Sequence, residues 1–289
     1  MKILFLGGSG FFGISFIRYL IKNNISCSIT IASRKPHSLK DKYKFIHDLK
    51  WIDFKIVDIL DTKSFDSIKD GDYSHIIHAA ADSTNVEDIC SIGRIDQIID
   101  GTKNILELVK ERFSDAKFLF ISSGGVYGSM PENMSSFHES LNTIAEPFDL
   151  SSSYSIAKRT AEHLCFVYRK QFDIDIKIAR CFAFSGPDLP TNVHFAIGNF
   201  VKDALLNKNI YINGDGTPIR SYLDQYDLSE WLLKICDYKK SENFVFNVGS
   251  DKGISIFDLA TKIQLLINPS CKVKVLGKNL NNQRNIYIP

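Results

Sequence analysis

Tyr154 and Lys158 stand four residues apart, a spacing that sets a phenol and an ammonium on one face of a helix. Proton transfer at an alcohol or carbonyl needs a group whose pKa is moved toward neutrality. A fixed cation does this for a tyrosine by stabilising its phenolate. A solvated helix face shows the same spacing, so the pair needs support from elsewhere in the chain. One support is the run Phe120-Ile121-Ser122-Ser123-Gly124-Gly125-Val126-Tyr127-Gly128, which reads as a strand end with a hydroxyl pair and a glycine turn. A serine there can donate to an oxygen on which charge develops. A third signal is Gly7-Gly8-Ser9-Gly10-Phe11-Phe12-Gly13, with glycines at Gly7, Gly10 and Gly13 between an apolar strand and an amphipathic helix. In that place a tight turn brings backbone N–H groups and the positive helix end to a pyrophosphate.

These residues need a rigid frame, and the chain spells one. Short β-rich runs over 3–6, 28–32, 54–57, 75–78, 117–121 and 174–179 alternate with helical patterns over 11–21, 89–112 and 154–171. Strands that are apolar throughout are buried on both faces, which predicts a Rossmann-type, doubly wound parallel α/β sheet of six strands. After Arg180 the texture changes at the breaker cluster Ser185-Gly186-Pro187-Asp188-Leu189-Pro190. A helix over 195–206, a strand over 210–212 and a helix opened by Ser255 with Asp258 follow. The expected division is 1–180 for the dinucleotide-binding domain and 181–289 for a smaller substrate lobe, with the chain free to cross between them.

The end of the second strand speaks to cofactor choice. An acid there would bind the ribose hydroxyls of NAD. The chain instead has Ser33-Arg34-Lys35, a hydroxyl and two cations suited to a phosphate, so NADP is expected and NAD is the alternative. A basic surface loop is the plainer explanation of the same residues. Asp58 closes the third strand within reach of an adenine amino group, and Ala79-Ala80-Ala81 let a cofactor lie against the strand tips.

Composition excludes other classes. The 289 residues carry 35 Lys+Arg against 33 Asp+Glu, a net charge of +2 that provides no field for nucleic acid or an anionic membrane. With 44% hydrophobic residues and a mean hydropathy of −0.06, the chain can bury a full core. No apolar run approaches the roughly 20 residues of a membrane span, and Lys2-Ile3-Leu4-Phe5-Leu6 runs into glycines rather than a secretory segment. Six scattered cysteines without Cys-x-x-Cys predict free thiols, no metal and a cytoplasmic location.

Taken together, the chain resembles the extended short-chain dehydrogenase/reductases, the group of sugar-nucleotide epimerases, dehydratases and reductases. The resemblance rests on the glycine motif, Asp58, the 78–81 segment, the Ser123 strand and Tyr154/Lys158. It extends to Arg180 through Gly186-Pro187 and to Arg220-Ser221-Tyr222-Leu223 before Asp227-Leu228. It implies Tyr154 as general acid/base, Lys158 as its electrostatic partner and ribose ligand, and Ser123 as carbonyl donor. It implies a cofactor set of Gly7, Gly10, Phe11, Phe12, Gly13, Ser33, Arg34, Lys35, Asp58, Ile59, Ala79, Ala80, Ala81, Tyr154 and Lys158. The implied substrate set is Thr84, Ser123, Asn192, Arg220 and Arg284, with the arginines on a nucleotide diphosphate. The long helices over 89–112 and 154–171 imply a homodimer.

Departures from the pattern narrow the expected reaction. The dehydratase pattern has an acidic pair after the serine-or-threonine position, whereas this chain has Gly124 and Gly125. Two customary asparagines are replaced by Ala183 and Ile98, and Asn192 or His194 is a candidate to supply the missing contact, although His194 also fits an exposed helix start. The expectation is an NADP-dependent reductase of a nucleotide-linked 4-keto-6-deoxyhexose, making deoxysugar precursors for surface polysaccharide such as lipopolysaccharide. The alternatives are an NAD-dependent sugar-nucleotide 4-epimerase and an NADP-binding sensor or scaffold.

Overall fold

The computed structural model describes residues 1–81, 90–191, 193, 195–278 and 285–289. The first half alternates β1 (Lys2–Leu6), α1 (Phe11–Lys22), β2 (Ser28–Ser33), α2 (Ser38–Lys42), β3 (Ile52–Ile56), β4 (His75–His78), α3 (Ile92–Arg112), β5 (Lys117–Ser123), α4 (Ser153–Phe172) and β6 (Ile176–Cys181). The remainder contains β7 (Phe184–Ser185), α5 (Ala196–Leu205), β8 (Ile210–Ile212), β9 (Ile219–Ser221), β10 (Leu223–Asp224), α6 (Gln225–Asp237) and β11 (Val245–Val248). It closes with β12 (Gly253–Ser255), α7 (Ile256–Ile267), β13 (Val273–Val275) and β14 (Ile286–Tyr287).

The central sheet is parallel in the order β3-β2-β1-β4-β5-β6-β11. Its strands are apolar because both faces are covered. In β1 the two-residue alternation sends Leu4 and Leu6 toward Ile98, Leu106 and Val109 of α3 and Ala161 of α4. Ile3 and Phe5 go the other way, toward Ile14 and Phe16 of α1 and Leu228 and Leu232 of α6. Each such side chain contributes about 1.5–3 kcal/mol by leaving water, which fixes the register of the strand tips.

Seven strands stand where six were expected. The seventh, β11, comes from the last third of the chain, and α6 returns with it to cover the sheet. The sixth strand begins at Ile176 rather than 174, because the Ile176 N–H first closes a turn on the Ile174 carbonyl at 2.9 Å. The third runs Ile52–Ile56 rather than 54–57, in register with β2 from Ile29 to Ser33. Ser91 caps α3 by accepting from the Arg94 N–H, so that helix starts at Ile92. The capping pair at α7 forms as expected, with Ser255 accepting from the Asp258 N–H and donating to its carboxylate at 2.6 Å.

A separate hydrophobic cluster packs α5 and α7 over the β8–β13 pair around Phe200, Ile210, Leu259 and Ile263. Beside it, β9 pairs with β12 antiparallel and with β14 parallel. Among the described residues no helix is long and apolar enough to cross a membrane. All six cysteines are free, and four of them are buried.

Candidate active site

A cleft of about 1200 Å³ runs along the carboxyl ends of the strands, from the glycine loop to Tyr154 and on to Arg220 on β9. Gly7 begins it with φ +79, and a Cβ there would sit 2.6 Å from the backbone of Ala79 and Ala80. Gly13 lies behind the loop, where a Cβ would fall 1.8 Å from the Gly8 carbonyl. Glycine is therefore required at both, first for the turn and the close approach of β4, then for seating α1 on the loop. The cradle so formed is open to a dinucleotide and is lined by Gly7, Gly10, Phe11 and Phe12. Asp58, Ile59 and Ala79–Ala81 line the same cleft, and Asp58 also accepts from the Leu60 N–H at 3.0 Å. Gly13 does not line it, consistent with a packing role.

At the ribose end, Ser33, Arg34 and Lys35 all face the cleft, joined by Ser38 and Lys42 of α2. The Ser33 hydroxyl is buried with no hydrogen-bond partner. The only acids lining the cleft among the described residues are Asp58 and Asp188. Asp188 is already bound bidentately by Arg18 at 2.6 and 3.1 Å and by Gln225 at 2.8 Å. The ribose end is thus cationic.

The reacting end is built by α4 lying on β5. Lys158 is 4% exposed and donates from Nζ to the Ile121 carbonyl at 2.8 Å. Its ammonium lies 4.8 Å from the Phe120 ring centroid and 5.9 Å from that of Tyr154. Burial lowers its pKa to about 8. His78 sits near this cation, its Nε2 3.1 Å from the Thr102 hydroxyl, and burial followed by Lys158 pushes it down to about 3. The histidine is therefore neutral and structural at working pH. Ser123 completes the group, accepting from the Gly125 N–H at 3.1 Å. Tyr154, Lys158 and Ser123 all face the cleft.

One turn beyond Lys158, Glu162 is clasped by the Arg180 guanidinium at 2.7–3.2 Å and accepts from Ser122 at 2.6 Å. Both partners are nearly dry. This buried pair ties α4 to β5 and β6 and so sets Tyr154 and Lys158 against Ser123. The two glycines after Ser123 are closely packed. A Cβ at Gly124 would meet the Phe182 ring at 2.7 Å, and one at Gly125 would meet the Ser155 hydroxyl at 2.8 Å.

Arg220 lines the cleft from β9, donating to the Ile219 and Asn285 carbonyls at 2.9 and 3.0 Å. The expected contacts Thr84, Asn192 and Arg284, and His194 with them, lie outside the described residues. Three groups were missed in the sequence. Glu162 carried a signal, an acid one turn after Lys158. Lys42 sits in a short helix that no periodicity announces. Tyr287 reaches the site from 164 residues beyond Ser123.

The model of the NAD dependent epimerase/dehydratase family matches residues 3–249. UDP-glucuronic acid decarboxylase 5 of Arabidopsis thaliana is 27% identical over 290 residues, covering 98% of this chain and 80% of that protein. A probable dTDP-glucose 4,6-dehydratase of Sinorhizobium fredii is 26% identical over 294 residues, covering 93% and 77%. The crystal structure of a Bacillus cereus UDP-glucuronic acid 4-epimerase in complex with NAD superposes with a TM-score of 0.78 at 27% identity, covering 96% of this chain and 88% of that one. The three names span decarboxylation, dehydration and epimerisation.

Proposed function

The chain belongs to the NAD dependent epimerase/dehydratase family, and from that membership we propose that it is an NADP-dependent reductase of a nucleotide-linked 4-keto-6-deoxyhexose. The observation that carries this reading is the cationic ribose end, where Arg34, Lys35 and Lys42 line the cleft and β2 ends in Ser33 rather than an acid. A 2′-phosphate would find a guanidinium, two ammoniums and two hydroxyls there. When bound, the cofactor supplies reversible hydride exchange with the carbinol carbon.

The chain's own residues do the rest. Ser123 donates to the substrate oxygen, Tyr154 exchanges the proton at that oxygen, and the Lys158 ammonium favours the phenolate. Arg220, on the opposite wall, suits the diphosphate of the nucleotide. Gly124 and Gly125 offer no side chain to abstract or deliver a second proton on the sugar, which argues against elimination and favours chemistry at one carbon. Packing of the exposed faces of α3 and α4 against a second copy is part of the same reading.

A 4-epimerase is the second reading, supported by the same three groups, which suffice to oxidise and re-reduce one carbon. Screening CDP-, dTDP-, GDP- and UDP-linked 4-keto sugars for NADPH oxidation separates the two. A reductase consumes one NADPH per product, whereas a 4-epimerase leaves NADPH unconsumed and instead interconverts the corresponding 4-hydroxy sugar nucleotide with its C4 epimer. Tyr154→Phe should lower turnover by about 10²–10⁴ with NADPH affinity unchanged. Near-normal turnover by that variant would refute the assignment.

A further inference from the structure

The most distant residue in sequence to reach the reacting end is Tyr287, on β14. Its phenol oxygen lies 3.4 Å from the Ser123 hydroxyl, a contact in which either group can donate, and 3.4 Å from the Cys181 carbonyl, which only accepts. Its ring packs on Phe182 with centroids 4.7 Å apart. Burial holds the phenol up to about 12, so it is a neutral donor at any working pH. The strand that carries it pairs in parallel with β9, setting Tyr287 directly opposite Arg220, whose guanidinium carbon is 5.8 Å from the phenol ring.

Ser123 can accept two hydrogen bonds and donate one. The Gly125 N–H takes one acceptor position at 3.1 Å. If the second stays open, the hydroxyl proton is free to rotate toward any nearby acceptor. A phenol donating into it leaves the serine proton only one useful direction, toward the cleft. It also strengthens that proton as a donor, because chained hydrogen bonds polarise one another.

We propose that Tyr287 is a positioning residue that acts through Ser123, turning its single proton from the Cys181 carbonyl to the serine hydroxyl so that the serine proton points at the substrate oxygen. The proposal rests on the role given to Ser123 above. It also ties the two ends of the substrate together, since the β9–β14 pair that presents Arg220 to the diphosphate presents Tyr287 to the reacting centre.

The test is a double-mutant cycle of Ser123→Ala and Tyr287→Phe, the second of which keeps the ring on Phe182 and removes only the hydroxyl. Kinetics use NADPH with dTDP- and CDP-linked 4-keto-6-deoxyglucose, and UDP-glucose for epimerisation. Tyr287→Phe should lower kcat about tenfold, the worth of one such hydrogen bond, with KM and NADPH affinity unchanged. Ser123→Ala should lower it about 10²-fold. The double variant should match Ser123→Ala alone. Multiplying effects, about 10³-fold in the double variant, would overturn the proposal, as would an unchanged kcat in Tyr287→Phe.

The same four proteins are also melted without substrate. Tyr287→Phe should lower Tm more in the parent than in the Ser123→Ala background, where only the contact to the Cys181 carbonyl remains to be lost, and equal losses in both would rule out the Ser123 contact. A wild-type protein that turns over none of the three sugars would overturn the proposed function. The melting cycle would then still decide Tyr287.

Discussion

Lys158 is a cation kept almost wholly from water, with one backbone carbonyl and two aromatic faces for company. Burial lowers its pKa to about 8, well below the ordinary lysine value, so its charge is present below pH 8 and fades above it. Under the assignment to the cofactor ribose, NADPH affinity measured by fluorescence titration should fall as pH rises through 8. Lys158→Met should bind weakly and show no such change over that range; a retained pH step in that variant would point to another group. Arg34 makes a complementary case at the other end of the cleft. Arg34→Ala should erase most of a preference for NADPH over NADH, because a charge-assisted contact to phosphate contributes about 1.5–3 kcal/mol. Equal affinities for the two cofactors in the parent protein would remove NADP from the reading.

The elements matter here through how they are joined. Helix α4 carries Tyr154 and Lys158, strand β5 carries Ser123, and the Glu162–Arg180 pair with Ser122 holds the helix to the sheet. Both side chains are buried, so removing one strands the other without water. Glu162→Ala should destabilise the protein by about 3–5 kcal/mol in urea unfolding. Replacing both charges together with well-packed apolar residues should restore most of that loss, since the desolvation of two ions is then avoided. If Glu162→Ala unfolds at the parent's urea midpoint, the pair does not fasten α4. The fold places this ion pair one helical turn behind Lys158, where neither Glu162 nor Arg180 lines the cleft.

At the scale of the whole molecule, the cleft is shared by two bodies of structure. The glycine loop, β2 and α4 belong to the large sheet, while Arg220 and Tyr287 come from the β9–β14 pair. Arg18 and Gln225 tie Asp188, in the segment after β7, to α1 and α6 of the large body. Ligands that sit on different bodies should therefore stabilise separately. At a hundredfold excess over Kd, NADPH and UDP should each raise Tm by several degrees, corresponding to about 2.7 kcal/mol apiece. Arg220→Ala should cancel the UDP shift and leave the NADPH shift intact. A loss of both shifts would place Arg220 in the fold's support rather than on the diphosphate.

How much of this was legible beforehand follows from where the information resides. The glycine loop, the order of strands and helices, Ser123, Tyr154 and Lys158 are local patterns. Each is a short run whose spacing dictates a turn, a strand or a helix face, and the parallel sheet follows from their alternation. The resemblance to a known family then gave these runs their expected roles. The seventh strand was not legible, because β11 is a short run among the elements of the last third and only its pairing with β6 makes it part of the sheet. Nor could spacing reveal that Gly124 abuts Phe182, that Glu162 finds Arg180, or that Tyr287 comes within reach of Ser123. Those are contacts between residues far apart along the chain, set by how helices seat on a twisted sheet. Sequence determined which groups could do the chemistry; the packing of distant elements decided which of them meet.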